Sequence, residues 1–122
     1  MYNIQNTIPD ALINMDSTQY WIYIMTDEGH RRLYTGRTSN LKRRVAQHRS
    51  GNGGVFTRRY SLVKLVYYEL VEDAEAARQR ERQVKQAGKK KRVSLIERMN
   101  PCWEDLFFDL SAEKNPKDED TQ

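Results

Sequence analysis

Apolar and polar positions change period several times along the chain, and each change marks an element. Tyr20 to Met25 (YWIYIM) is an unbroken aromatic and β-branched run, the pattern of a strand. Asp27 to His30 (DEGH) reads as a turn, and Leu33-Tyr34-Thr35-Gly36 as a second strand. Ser39 or Asn40 is placed to cap a helix running to about Arg49; the glycines of 51–54 stop it and predict a flexible loop. Leu62 to Leu70 (LVKLVYYEL) predicts a third strand, and Asp73 opens a helix through about Ala87 with Gly88 as its end. Lys89 to Arg92 reads as a basic bridge, and Val93 to Met99 as a short helix that stops before Pro101. The order ββαβαα predicts an α+β domain over residues 20–110, a small three-stranded antiparallel sheet flanked by helices. Residues 1–19 have no period and contain Pro9, so they read as an irregular arm; residues 111–122 read as a polar, disordered tail.

The length of 122 residues suits one domain with one modest core. No run approaches ~18 apolar residues, which argues against a membrane-spanning helix. The first residues carry acids and no basic stretch, unlike a signal peptide. A single cysteine, Cys102, leaves no intramolecular disulfide or cysteine cluster, so a reducing cytoplasm is expected. Charge changes the picture more. The net charge is +4, yet Arg31 to Arg98 holds 19 Lys/Arg against 6 Asp/Glu. Such a segment attracts phosphate backbones. The plain alternative is an Arg-rich solvated surface, and the acidic ends read as solubilising tails.

Three polar residues fall where periodicity predicts core. Leu41 and Val45 define the inward face of the first helix, and Arg44 and His48 lie within roughly 60° of Leu41 on it. In the second helix Ala74, Ala77 and Val84 form the stripe, with Glu81 inside it and Arg78 and Lys85 beside it. Charges on an inward face must pair, bind a ligand or line a cleft. A structural Glu81–Arg44 pair would satisfy that requirement without any function. A turn symmetric about Glu28-Gly29 sets Tyr23 opposite Tyr34, either as a cross-strand packing pair or as two phenols of one site. Gly36 would let the chain or a ligand approach closely.

At these residues the sequence resembles the GIY-YIG nuclease family. Trp21-Ile22-Tyr23 resembles the first half of the signature and Tyr34-Thr35-Gly36 the second, followed by GRTSNLKRRVAQH (36–48), the Glu81 helix and Asn100-Pro101. The resemblance runs from about Tyr20 to Leu106. It implies a metal-dependent DNA endonuclease with Tyr23, Tyr34, Arg44, His48 and Glu81 as catalytic residues, and with Gly36 and Asn100 in support. Trp21 stands where the family signature has its first Gly, and Thr35 where it has the middle Ile.

On that reading, Glu81 holds one Mg²⁺ or Mn²⁺ whose shell is completed by water and substrate phosphate. Arg44 forks onto nonbridging oxygens. Tyr23 or Tyr34 orients or deprotonates the attacking water, which requires nearby cations to lower a phenol's pKa of ~10. His48 takes the water proton instead, or supports Tyr34. Lys42, Arg43, Arg49, Arg58, Arg59, Lys85 and the run Lys89, Lys90, Lys91, Arg92 are expected to contact DNA phosphates without reading sequence. Tyr60, Tyr67 and Tyr68 either stack on an unpaired base or pack internally. DNA is the expected partner, with no membrane and no organic cofactor, and a structure-selective role in repair or recombination is one candidate use. The other reading is a nucleic-acid-binding module that does not cut, or cuts only within an assembly.

Overall fold

The computed structural model describes residues 19–114, with side chains through Leu110; residues 1–18 and 115–122 lie outside the described residues. Three strands, β1 (Tyr20–Thr26), β2 (Leu33–Thr38) and β3 (Lys64–Val71), form an antiparallel sheet in the order β2-β1-β3. β1 lies in the middle, and Ile22 through Thr26 are all buried. That is why its sequence is a continuous apolar run rather than an alternation: both faces are covered. Ile22 and Ile24 face Ala77, Val84 and Ile96, while Tyr23 and Met25 face Leu41, Val45, Leu106 and Leu110. The protein therefore has a small core on each side of one sheet. The α+β expectation holds.

The helices are α1 (Leu41–Arg49), α2 (Val55–Arg59), α3 (Ala74–Gln86), α4 (Gly88–Met99) and α5 (Phe107–Lys114). Two caps act as their sequence suggests. The Asn40 side chain accepts from the Arg43 amide at 3.1 Å, and Asp73 accepts from the Ala76 amide at 2.8 Å. On α3 the buried stripe starts one turn late: Ala77 and Val84 are buried, but Ala74, in the first turn, is exposed.

Four expectations need correction. The hairpin register is shifted by two, with Tyr23 opposite Gly36 and Met25 opposite Tyr34. The cause is Asp27, whose carboxylate accepts from the amides of Arg31 (2.7 Å) and Arg32 (3.1 Å) and so builds a longer turn than a two-residue one. A shift of two preserves faces, so the Tyr23 and Tyr34 rings still meet diagonally, with centroids 6.2 Å apart. Secondly, the glycine segment, in which Gly53 is buried, gives way at once to the five-residue helix α2, which the pattern does not predict. Thirdly, Lys89 to Arg92 are not a bridge but the opening of α4. Gly88, at φ +85°, ends α3 and lets the next helix begin at once. Finally, α5 runs four residues into the stretch expected to be tail.

Asn100 caps the end of α4 and is 5% exposed. Its Nδ2 donates to the carbonyls of Val66 (3.1 Å) and Glu104 (2.9 Å), and its Oδ1 accepts from the Glu104 amide at 3.0 Å. These bonds tie α4 to β3 and set the turn after it, which explains the residue by fold alone. Asn100→Ala leaves buried backbone groups unpaired and should cost roughly 2–3 kcal/mol. Thermal or urea denaturation of the variant checks this.

Candidate active site

Alternation along β2 assigns its side chains to two layers. Tyr34 packs against the α1 side, and Gly36 receives the Tyr23 phenol; Leu33, Thr35 and Arg37 turn toward α3 and α4. A Cβ on Gly36 would lie 2.6 Å from the Tyr23 hydroxyl oxygen, so glycine is required for that phenol to occupy its place. The ligand expected to approach this glycine is thus Tyr23 itself.

Tyr23 is 1% exposed and His48 2% exposed. The Tyr23 hydroxyl is 3.0 Å from His48 Nε2, and His48 Nδ1 is 3.1 Å from Thr57 Oγ1. The single Thr57 hydroxyl proton is directed to the Gly54 carbonyl at 3.3 Å. With the Thr57 proton on that carbonyl, the matching tautomer has Nδ1–H donating to Thr57 and Nε2 accepting from Tyr23. The result is a one-way line of donors from the phenol to a backbone carbonyl. Gly53 closes it from outside: a Cβ there would lie 2.0 Å from His48 Nδ1. Arg44, half-buried on the same helix face, donates to Gln47 Oε1 at 3.0 Å and to the Gly53 carbonyl at 3.3 Å.

The electrostatics follow from this packing. Burial pushes the Tyr23 phenol up to about 12; the adjacent Arg44 pulls it down by less, and Tyr34 adds to the rise. At this phenol desolvation outweighs the guanidinium. Burial, and after it the Arg44 charge, lowers His48 to about 4. The imidazole is neutral near pH 7, as its acceptor role toward Tyr23 requires.

Glu81 belongs to the other layer. Its Oε1 is 2.5 Å from Arg37 Nη1 and its Oε2 is 2.8 Å from Lys85 Nζ, with 13% of the side chain exposed. Burial alone would raise its carboxyl, but Lys85 and Arg37 together outweigh it and hold the group below the ordinary value, so it is ionised. The partners of Glu81 are thus Arg37 and Lys85, not the Arg44 that sequence periodicity offered. It borders a cavity of about 360 Å³ lined also by Arg78, Arg82 and Gln86.

The structure brings Tyr23, Tyr34, Arg44 and His48 together; Tyr34 and His48 have ring centroids 5.4 Å apart. Glu81 sits beside Arg37, the residue after Gly36. Asn100 stands in the α4–β3 packing described above. The basic residues divide. Arg49 pairs with Asp105 at 2.5 Å and donates to the Val63 carbonyl, Lys85 pairs with Glu81, Lys89 donates to the Arg31 carbonyl, and Arg92 donates to Thr35 Oγ1. Among the described residues Lys42, Arg43, Arg58, Lys90 and Lys91 form no ion pair, and Arg59 lies over the Tyr60 ring. Tyr67 is core, and its hydroxyl donates to Glu69; Tyr68 packs edge-on against Trp21. Sequence reasoning missed Arg37, Gly53, Thr57 and Phe56. An inward His48 needs a second partner, and Thr57 was the nearest hydroxyl after the glycines.

Between pH 6.5 and about 4 the unfolded chain binds a proton at His48 that the folded protein does not. Stability contributed by the neutral imidazole is complete near pH 7 and is lost as pH falls through that window, at on the order of 1 kcal/mol per pH unit. Urea unfolding from pH 7 to 4.5 should show this slope in the wild type, and His48→Gln should flatten it.

Residues 19–94, which hold Tyr23, Tyr34, Gly36, Arg44, His48 and Glu81, match the family model for the GIY-YIG catalytic domain; Asn100 lies beyond the matched segment. A UPF0213 protein of Natronomonas pharaonis is 37% identical over 82 residues, spanning 66% of this chain and 93% of that protein. One from Clostridium perfringens is 38% identical over 78 residues, spanning 62% and 81%. The solution NMR structure of a UPF0213 protein from Bacillus halodurans superposes with a TM-score of 0.47 at 28% identity, over 71% of this chain and 92% of that one. The family match covers both halves of the signature, the Arg44/His48 helix and the Glu81 helix: the chain belongs to the GIY-YIG nuclease family.

Proposed function

We propose that this protein hydrolyses DNA phosphodiester bonds with the help of one divalent cation, Mg²⁺ or Mn²⁺, held by Glu81. The observation that carries the reading is the line from Tyr23 through His48 to Thr57, with Arg44 and Tyr34 beside it. A phenol buried this fully does not reach substrate, so Tyr23 and His48 are positioning residues. Tyr34, only half-buried, is the phenol placed to orient the attacking water. Because Tyr23 gives its proton to His48, its oxygen lone pairs stay available to a donor from the Tyr34 or Arg44 side. Arg44 gives nitrogens to Gln47 and Gly53 and also hydrogen-bonds the Tyr23 and Tyr34 hydroxyls, so a phosphate oxygen beside Tyr34 would meet a guanidinium already held in place. Charge growing on that oxygen in the transition state is met there by a fixed cation.

Glu81 fits a hard cation on one condition. It is ionised and borders an open cavity, but among the described residues no group of three His, Cys, Asp or Glu side chains surrounds it. The ion would take the rest of its shell from water and phosphate, and would have to displace Arg37 or Lys85. Glu81 and the Tyr34–Arg44 group lie on opposite faces of the edge strand β2, so an ion bound there would stabilise charge on the transferring phosphate and the leaving oxygen only for a substrate that reaches round that edge. The engagement of both carboxylate oxygens favours the second reading, a nucleic-acid-binding module that does not cut alone.

A panel of supercoiled, single-stranded and branched DNA with Mg²⁺ or Mn²⁺ separates the two. The hydrolase reading expects cleavage that falls about 10²–10³-fold in Arg44→Ala and in Glu81→Ala while salt-dependent binding persists. Equal behaviour of wild type and Glu81→Ala sinks it. Arg37→Ala should tighten Mn²⁺ binding about twofold to fivefold, read from the free Mn²⁺ signal by electron paramagnetic resonance. An unchanged affinity in that variant counts against Glu81 as the ligand.

A further inference from the structure

The short helix α2 turns two adjacent residues in opposite directions. Thr57 is buried and holds His48, while Phe56 is 44% exposed and Val55 is 73% exposed. Phe56 does not stand alone. Its ring lies 4.9 Å from Tyr60 and 6.4 Å from Tyr34, centroid to centroid, and the Tyr34 planes tilt only 31° from it. The far side of Tyr60 carries Arg32, whose guanidinium carbon is 3.9 Å from the ring centroid. Rings and cations thus run without a break from His48 through Tyr34, Phe56 and Tyr60 to Arg32. Arg59 also lies over the Tyr60 ring, 5.6 Å from its centroid, and Arg58 beside it in the chain is exposed.

Phe56, packed on its inner side by Tyr34 and Tyr60, offers an aromatic surface to solvent. Here the neighbourhood is cationic, which disfavours a purely apolar partner and favours a flat π system that carries negative charge. A nucleotide is that combination. In a duplex both faces of a base are occupied by its neighbours, so only an unpaired base offers a free face. We propose that Phe56, backed by Tyr34 and Tyr60, is a stacking platform for an unpaired nucleobase next to the phosphodiester held by Arg44. The substrate class is then nucleic acid with a single-stranded or flipped-out nucleotide at the cut. This rests on the reading of the Tyr34–Arg44 face as the substrate side.

Binding measured in EDTA, where no metal-dependent cleavage occurs, tests it. Labelled single-stranded, gapped and blunt duplex oligonucleotides are compared by fluorescence anisotropy. Versions with 2-aminopurine or an abasic residue at each successive position locate the stacked base. The wild type should prefer the unpaired substrates and quench 2-aminopurine at one position, and an abasic residue there should weaken binding roughly tenfold. Phe56→Ala should lose the same factor on single strands alone, and Phe56→Tyr should keep it. The proposal is overturned if no abasic position matters, or if Phe56→Ala leaves the single-strand to duplex ratio unchanged. It is likewise overturned if the variant alters only self-association in sedimentation velocity. Base-dependent binding in a protein that never cuts DNA would sustain the platform while removing the hydrolase reading. Cleavage that ignores base pairing would do the reverse.

Discussion

The structure depends on one steric exchange: the phenol of Tyr23 occupies the volume that a side chain on Gly36 would fill. The two residues are direct partners in the β1–β2 ladder, so the exchange fixes where the phenol ends. From that point the placement of the next groups follows. The hydroxyl meets His48, His48 meets Thr57, and Thr57 reaches the backbone of the glycine segment. A group in the middle strand, buried on both faces, has little freedom to relax. A polar line built on such a strand inherits its rigidity, which catalytic positioning requires.

The same strand pair joins two chemically different layers. Gly36 faces the phenol–imidazole side and Arg37, one residue on, faces Glu81. Neighbouring strand residues point oppositely, so the edge strand β2 separates the Tyr23–His48 line, with Arg44 beside it, from the Glu81 ion pairs. This explains how five polar groups coexist in so small a protein. The imidazole is kept neutral by burial, while the carboxylate is kept ionised by two cations on the other layer.

Much of this was legible in the chain. The caps have a local cause: of the two candidates Ser39 and Asn40 it is Asn40 that accepts from the helix, and Asp73 opens the later helix as its sequence suggests. The inward faces of α1 and α3 follow from helical period, which is why His48 and Glu81 were found. What failed were features decided by contacts distant in sequence or by unusual backbone. The hairpin register is set by one carboxylate gathering two amides, which no alternation pattern encodes. The opening of α4 depends on a glycine at positive φ that both ends one helix and begins another. The Glu81 partner lies 44 residues away, beyond any periodic argument. A five-residue helix after four near-continuous loop formers is too short to show a period of its own.

That five-residue helix has a consequence for how the protein can change. Its inner residue, Thr57, holds a buried imidazole, and its outer residue, Phe56, presents an exposed aromatic ring beside Tyr34. Adjacent on one rigid turn, they move as a unit. Any insertion or deletion in the preceding glycines rotates both at once, so proton placement and surface shape are inherited together. A side-chain swap on α2 can therefore change the surface alone, whereas lengthening its loop would move Thr57 off the imidazole as well.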